Sequence, residues 1–374
     1  MPRETMRVLP KYFQPFLSWL TAKPLAEDLG NVRKLTPMFH VAVSVGFISL
    51  GVMLLASGYI KANAVMWALG FILASGGIKQ FQVMICHNCA HDMVFTNKKL
   101  NALVGNLISG FLMLKPFEVY KKEHLLHHSS KSLLTDKDDT LSYLQGTVGL
   151  KPSDSVFVMW AKLVTTALSP LAILRSSWGR VKSTATAPNK RIAALTLSCW
   201  SIASVIALFL GQFDVFIIAW VLPVFMGYHI SSTFRLAAEH TWPSVEVLEK
   251  RGVEFICEST TGVFIGEALY IKEDAGLIKR VVWISLWLLK MLTVHLFVRI
   301  FIMVGDTPCH DFHHRRPRST DWPNYITARE RDMLDGSKPF PSNYVGYWGY
   351  GASVTRNFRN FQRARPYYEK ATSV

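Results

Sequence analysis

Cysteine is scarce in this chain. The five cysteines among 374 residues, Cys86, Cys89, Cys199, Cys257 and Cys309, are too few and too scattered for a disulfide framework, and a reducing compartment is the expected home. Cys86 and Cys89 form a C-x-x-C, but no second such pair exists, which speaks against a four-thiolate zinc site and for structural thiols. An H-E-x-x-H zinc-protease helix is also missing, because Asn88 follows His87. Acidic residues run short as well: 26 Asp+Glu against 41 Lys+Arg leave a net charge of +15. The basic residues lie in loops and tails between apolar segments and form no aromatic-interleaved stripe. That distribution suits an anionic membrane face and argues against nucleic acid as a partner. The first 37 residues hold no long apolar run, so no cleavable signal peptide is expected.

Apolar sequence, by contrast, is plentiful. With 50% hydrophobic residues and a mean hydropathy of +0.21, the chain reads as a membrane protein with a substantial aqueous part. Residues 38–60 and 63–84 are each long enough for a bilayer core that needs about 20 helical residues, and they form one predicted hairpin. Residues 192–210 and 213–230 form a second, with Pro223 tolerable inside a membrane helix. The 13 residues 102–114 are too short to cross and read as interfacial or re-entrant. Residues 156–174, which contain Lys162 and Pro170, are placed along the interface. Residues 281–304 are long enough, but Lys290 sits near their middle, where a charge costs about 2.5 to 3.5 kcal/mol on insertion scales.

The least ordinary feature is histidine. "HLLHH" (124–128) and "HDFHH" (310–314) repeat one H-x-x-H-H spacing, a pattern that 12 histidines in 374 residues produce by chance only about 0.01 times. A third cluster, "HNCAHD", sets His87 and His91 four residues apart. On a helix, His87 and His91 share a face, and His124, His127 and His128 form one stripe, as do His310, His313 and His314. Imidazole suits zinc, copper, iron and nickel, so ligand type does not choose the metal. Ligand number says more: eight histidines exceed the three or four protein ligands of a zinc site, and two metals are the economical reading. A single crossing by residues 281–304 would place residues 310–314 across the bilayer from the other clusters. That segment is therefore expected in or under the interface. Two hairpins return every cluster to one face, which is also the basic one and hence cytoplasmic.

H-x-x-x-H, then H-x-x-H-H about thirty residues on, then a distant H-x-x-H-H, with two membrane hairpins between and around them, resembles the membrane fatty acid desaturase and hydroxylase superfamily, over roughly residues 35–330. The resemblance implies two iron ions that activate O2 to attack an unactivated C–H bond, with electrons from an external ferredoxin or cytochrome and its reductase. It also implies a ninth histidine ligand. His240, in "FRLAAEHTWP", is assigned that role because its E-H pairing resembles bacterial desaturases and alkane hydroxylases. Neutral histidines around two ferrous ions leave a net charge of +4, so carboxylates are expected to accept from the ligands' distal N–H groups. By adjacency, the candidates are Asp92, Glu123, Glu239, Asp306 and Asp311. The other histidines, His40, His229 and His295, carry no ligand spacing.

The expectation is therefore an all-α integral membrane protein of two helical hairpins, or four spans. A cytoplasmic helical cap would carry the boxes, and a bacterial inner membrane would hold both termini on its cytoplasmic side. Its segments would be 1–37 as a cytoplasmic lead, 38–330 as the desaturase-like domain and 331–374 as a basic tail. Arg356, Arg359, Arg363 and Arg365 in that tail suit an acidic electron carrier, lipid headgroups or plain solvation. The substrate implied is a fatty acyl lipid or a related small lipophilic metabolite, desaturated or hydroxylated. Phe81, Phe111, Phe117 and Trp160 suit packing as well as an acyl channel. The alternative function is a membrane zinc-dependent hydrolase.

Overall fold

The computed structural model describes residues 1–30, 34–272 and 274–372. The described residues are mostly helical, with two three-residue strands among them, Gly262–Phe264 and Gly346–Trp348, paired in parallel. Among the described residues five helices are long and apolar enough to cross a membrane: Pro37–Ile60, Ala64–Ala90, Lys190–Phe209, Phe213–Glu239 and Leu277–Ile302. A sixth is possible if Val156–Leu168 and Pro170–Ala185, bent by 61° at their junction, count as one span. The first four coincide with the expected hairpins. Leu277–Ile302 is the fifth, which the four-span expectation left out because of the charge at Lys290; the helix is long and apolar enough despite Lys279, Arg280, Lys290 and Arg299.

Residues 36–236 and 317–323 form one compact unit. Its first hairpin starts at Thr36, whose hydroxyl accepts from the Phe39 N–H, and turns at Asn63, whose side chain accepts from the Met66 N–H at 3.0 Å. Small residues let the two helices touch backbone to backbone: a Cβ on Gly51 would lie 2.2 Å from the Ala74 nitrogen, and one on Gly70 would lie 2.5 Å from the Leu55 nitrogen. Past Gln80 the second helix loosens into a π-turn, Phe81–Cys86, before it delivers His87–Ala90. Such widened turns frequently mark functional sites. Pro223 similarly sits among π-turns, Ile217–Val221 and Pro223–Gly227, which absorb its missing N–H. Phe117 is fully buried beside Gly105, whereas Phe111 is exposed, so these two aromatic residues serve packing and surface.

Residues 1–35, 237–316 and 324–374 form the other unit. Its apolar core joins Met6, Leu17 and Leu20 to Leu269, Trp287 and Met291. The termini are thus docked parts of this unit, where the sequence suggested separate lead and tail segments. At the amino end, Arg3 bonds the Lys23 carbonyl and the Gln14 side chain, and Lys23 pairs with Glu330 at 2.6 Å. At the carboxyl end, Tyr350–Arg363 buries Val354, Phe358 and Phe361, Asn357 donates to the Ala237 carbonyl, and Trp242 donates to the Tyr368 hydroxyl. The opposite face of that helix leaves Arg356, Arg359 and Arg363 exposed.

Candidate metal centre

Each unit gathers one set of histidines. In the first, His87 and His91 follow the π-turn, and His124 and His128 come from the helix Phe117–His127 and its cap. Their ligand atoms all lie within 4.8 Å of one another. The ring nitrogens of His91 and His124 are 2.8 Å apart, and those of His128 and His124 are 3.1 Å apart. In the second unit, His240, His310 and His314 converge in the same way. His310 Nε2 lies 3.3 Å from His240 Nε2 and 3.1 Å from His314 Nε2.

The two H-x-x-H-H triples divide alike. Residues i and i+4, His124 with His128 and His310 with His314, bring their rings to 4.6 Å between centroids. The i+3 members turn aside: His127 lies 5.9 Å from His124, and His313 lies 5.8 Å from His310. A helical stripe is about 40° wide between i and i+4 and wider to i+3, so the third ring of each triple is offered in its own direction.

Hydrogen bonds fix which nitrogen each ring presents. His87 Nδ1 donates to the Val83 carbonyl at 3.1 Å, and His240 Nδ1 donates to the Ser259 carbonyl at 3.3 Å. His127 Nδ1 donates to Asp138 at 2.8 Å. A carbonyl or carboxylate oxygen only accepts, so in all three rings Nδ1 carries a proton, and in the neutral tautomer this selects, the Nε2 lone pair is the one a ring offers. Burial reinforces neutrality: it pushes His91 down to about 4, with Arg318 and Lys121 adding to the effect and Asp92 opposing it. Buried, unprotonated nitrogens that crowd around one point repel unless a cation stands among them. The donor sets therefore fit metal ions.

The carboxylates are arranged differently from the expectation. Asp92 bonds Lys121 at 2.7 Å, Glu123 bonds Lys115, and Asp311 forms a bidentate pair with Arg329. These three acids, which adjacency in sequence offered as holders of histidine rings, are engaged by cations. Glu239 and Asp306 are buried. A carboxylate outside that group does hold a ring: Asp138, fully buried, accepts from His127 and also from the backbone N–H groups of Leu134 and Thr140. It lies eleven residues beyond His127. Its position in "TDKDDT", as N-cap of Asp139–Ser142, was the available signal. Asp311 has an indirect role: Arg329, from Tyr325–Leu334, anchors it and so anchors the short helix His310–Arg315.

Three histidines stand apart from both sets. His40 bonds the Pro323 carbonyl at 2.9 Å, His229 bonds the Thr166 carbonyl at 3.0 Å, and His295 is half-buried on the helix Leu277–Ile302. All five cysteines are free thiols, with Cys86 and Cys89 buried.

Residues 62–270 match the family described as Fatty acid desaturase, a stretch that takes in the first two histidine clusters and His240. No curated protein matches the chain. The match covers more than half of the sequence, and with long apolar helices and paired histidine sets beneath it, the chain belongs to the fatty acid desaturase family, a family of membrane oxidoreductases.

Proposed function

We propose that this protein is an oxygen-dependent di-iron oxidoreductase that desaturates, or hydroxylates, an unactivated C–H site of a fatty acyl lipid or a related small lipophilic metabolite. The observation that carries the reading is the doubling of the histidine set: His87, His91, His124 and His128 in one unit, and His240, His310 and His314 in the other. His127 and His313 complete the nine ligands. Two iron ions held there would supply the redox chemistry that activates O2, with electrons from an external ferredoxin or cytochrome and its reductase.

The chain's own contribution is to hold those nitrogens ready. Val83, Ser259 and Asp138 take the Nδ1 protons of His87, His240 and His127, so each Nε2 lone pair is oriented before any ion arrives. Asp138 also adds negative charge beside the ligands, which offsets the positive charge of a dication. Tyr120 stacks on His124, with centroids 5.4 Å apart and planes 15° apart, and restrains that ring.

For membrane placement, the proposal keeps four spans with the clusters on the cytoplasmic side of a bacterial inner membrane. Lys290 pairs with Glu267 at 2.8 Å, and Arg299 bonds the Trp19 carbonyl at 2.9 Å, which supports an interfacial position for Leu277–Ile302.

Elemental analysis of gently solubilised protein tests the reading. Close to two irons per chain is the expected result, followed by an oxidised product when reductant, O2 and lipid are supplied. One zinc with negligible iron, even after iron-rich expression, would overturn it in favour of hydrolysis.

A further inference from the structure

The unit of residues 36–236 carries a half-open cavity of about 260 Å³, just below the usual size of small-molecule pockets, which run from about 300 Å³. It reaches the histidine set at one side. Tyr120, whose ring stacks on His124, and Cys86, the residue before His87, both line it. Leu114 and Leu236 add apolar wall.

The rest of the lining is unlike an acyl channel. Four cations, Lys79, Lys115, Arg180 and Arg235, face it together with one carboxylate, Asp139. That carboxylate belongs to Lys115, which bonds both Asp139 and Glu123. Lys79 and Arg180 are bonded to neutral groups instead. Lys79, fully buried, donates to the Ser232 hydroxyl at 2.8 Å, and its Nζ stands 4.3 Å from the centre of the Tyr228 ring. Arg180 donates to the Leu112, Met113 and Val224 carbonyls, and its guanidinium stands 4.6 Å from the centre of the same ring. Among the described residues neither cation has a carboxylate partner.

Two basic groups held over one aromatic ring beside a cavity, with no carboxylate partner among the described residues, are costly to keep charged there and are stabilised by an anion that enters between them. Tyr228, Ser232 and Arg235 follow one another at i, i+4 and i+7, so a single helix face carries this polar end toward the cavity. We infer that the cavity takes a compact organic anion, a carboxylic acid. Its carboxylate is held at the Lys79 and Arg180 end, and its carbon chain runs past Leu114 and Leu236 toward Tyr120 and Cys86. The inference rests on the proposed function for the chemistry done at the histidines, and it names the substrate of that site as a free acid of modest size.

The test is calorimetric titration of the detergent-solubilised full chain with octanoate, octan-1-ol, methyl octanoate and inorganic phosphate, with iron measured on the same samples. The expected result is that octanoate binds at least tenfold more tightly than the alcohol or the ester, that Lys79→Met removes this preference and that Lys79→Arg keeps it. Equal affinity for octanoate and octan-1-ol in the wild-type protein overturns the inference without reliance on any variant. Phosphate binding as tightly as octanoate overturns it too, since the site would then read charge and no chain. Octanoate preference in protein that retains no iron would overturn the di-iron reading and leave the anion cavity standing. Two irons with no preference for octanoate would do the reverse.

Discussion

Asp138 offers the sharpest single perturbation. Its carboxylate is fully buried, accepts from His127 Nδ1 at 2.8 Å, and accepts from the backbone N–H groups of Leu134 at 2.9 Å and Thr140 at 3.0 Å. Asp138→Asn keeps the volume and one acceptor oxygen but removes the charge. It also places an amide donor where at least one of these N–H groups pointed. Loss of an outer-shell carboxylate behind a ligating histidine typically lowers metal affinity about 10- to 100-fold, or about 1.4 to 2.7 kcal/mol. Asp138→Ala goes further, because it leaves three donors in a buried place, and each unsatisfied group costs about 1 to 3 kcal/mol. The Ala variant should therefore lose several kcal/mol of stability as well as metal. The assay is iron retained per chain after dialysis against a graded chelator, paired with thermal unfolding of the metal-free protein. For Asp138→Asn, release should occur at a clearly lower chelator concentration with only a modest fall in the apo melting temperature. Wild-type chelator resistance in Asp138→Asn would refute the argument that this carboxylate supports a metal ligand.

Other perturbations separate metal binding from folding. His127→Ala and His240→Ala should each lower bound iron and turnover, whereas His40→Ala, whose ring bonds the Pro323 carbonyl, should leave bound iron unchanged; equal iron in all three would dissolve the site assignment. Arg329→Met strands the buried Asp311 carboxylate, and breaking such a pair by removing one partner costs about 3 to 5 kcal/mol, readable as a large drop in unfolding midpoint. Because burial holds His91 down to about 4, the unfolded chain takes up that proton first as pH falls. The metal-free protein should then keep this contribution above the ordinary imidazole value near 6.5 and lose roughly 3 kcal/mol as pH falls to about 4. Melting curves flat across that window would contradict it. Gly51→Val places side-chain atoms against the Ala74 backbone, 2.2 Å from where the Cβ would stand, and should abolish folding of the hairpin, measured as loss of monodisperse protein after solubilisation.

Several features were legible before any tertiary contact was known. The four apolar segments of the two hairpins are helices that start near the expected bounds, with the second and fourth running on to Ala90 and Glu239, because about 20 apolar residues leave a chain in lipid little choice but to satisfy its backbone internally. The i, i+4 convergence within each triple follows from helical pitch alone, whereas the single stripe expected of each triple left out the offset of His127 and His313. The bend at Ser169 and Pro170 follows from the ring that Pro170 brings into a helix.

Other features could not be read from one dimension. Adjacency suggested Asp92, Glu123 and Asp311 as partners of histidine, yet each meets a cation brought from 8 to 29 residues away. Hydrogen bonds are settled by distance and direction in space, and a helix turns neighbouring side chains about 100° apart. The terminal segments, read from the sequence as a lead and a basic tail, have buried faces, Leu17 and Leu20 at one end and Phe358 and Phe361 at the other, whose packing one dimension does not reveal. By itself the sequence determined a helical membrane chain with histidines at ligand spacing, since hydropathy and helical pitch act locally. Only the tertiary structure decided that Asp138 holds the His127 ring, and that Lys79 and Arg180 face one cavity, because a charge's role depends on the neighbours that remove it from water.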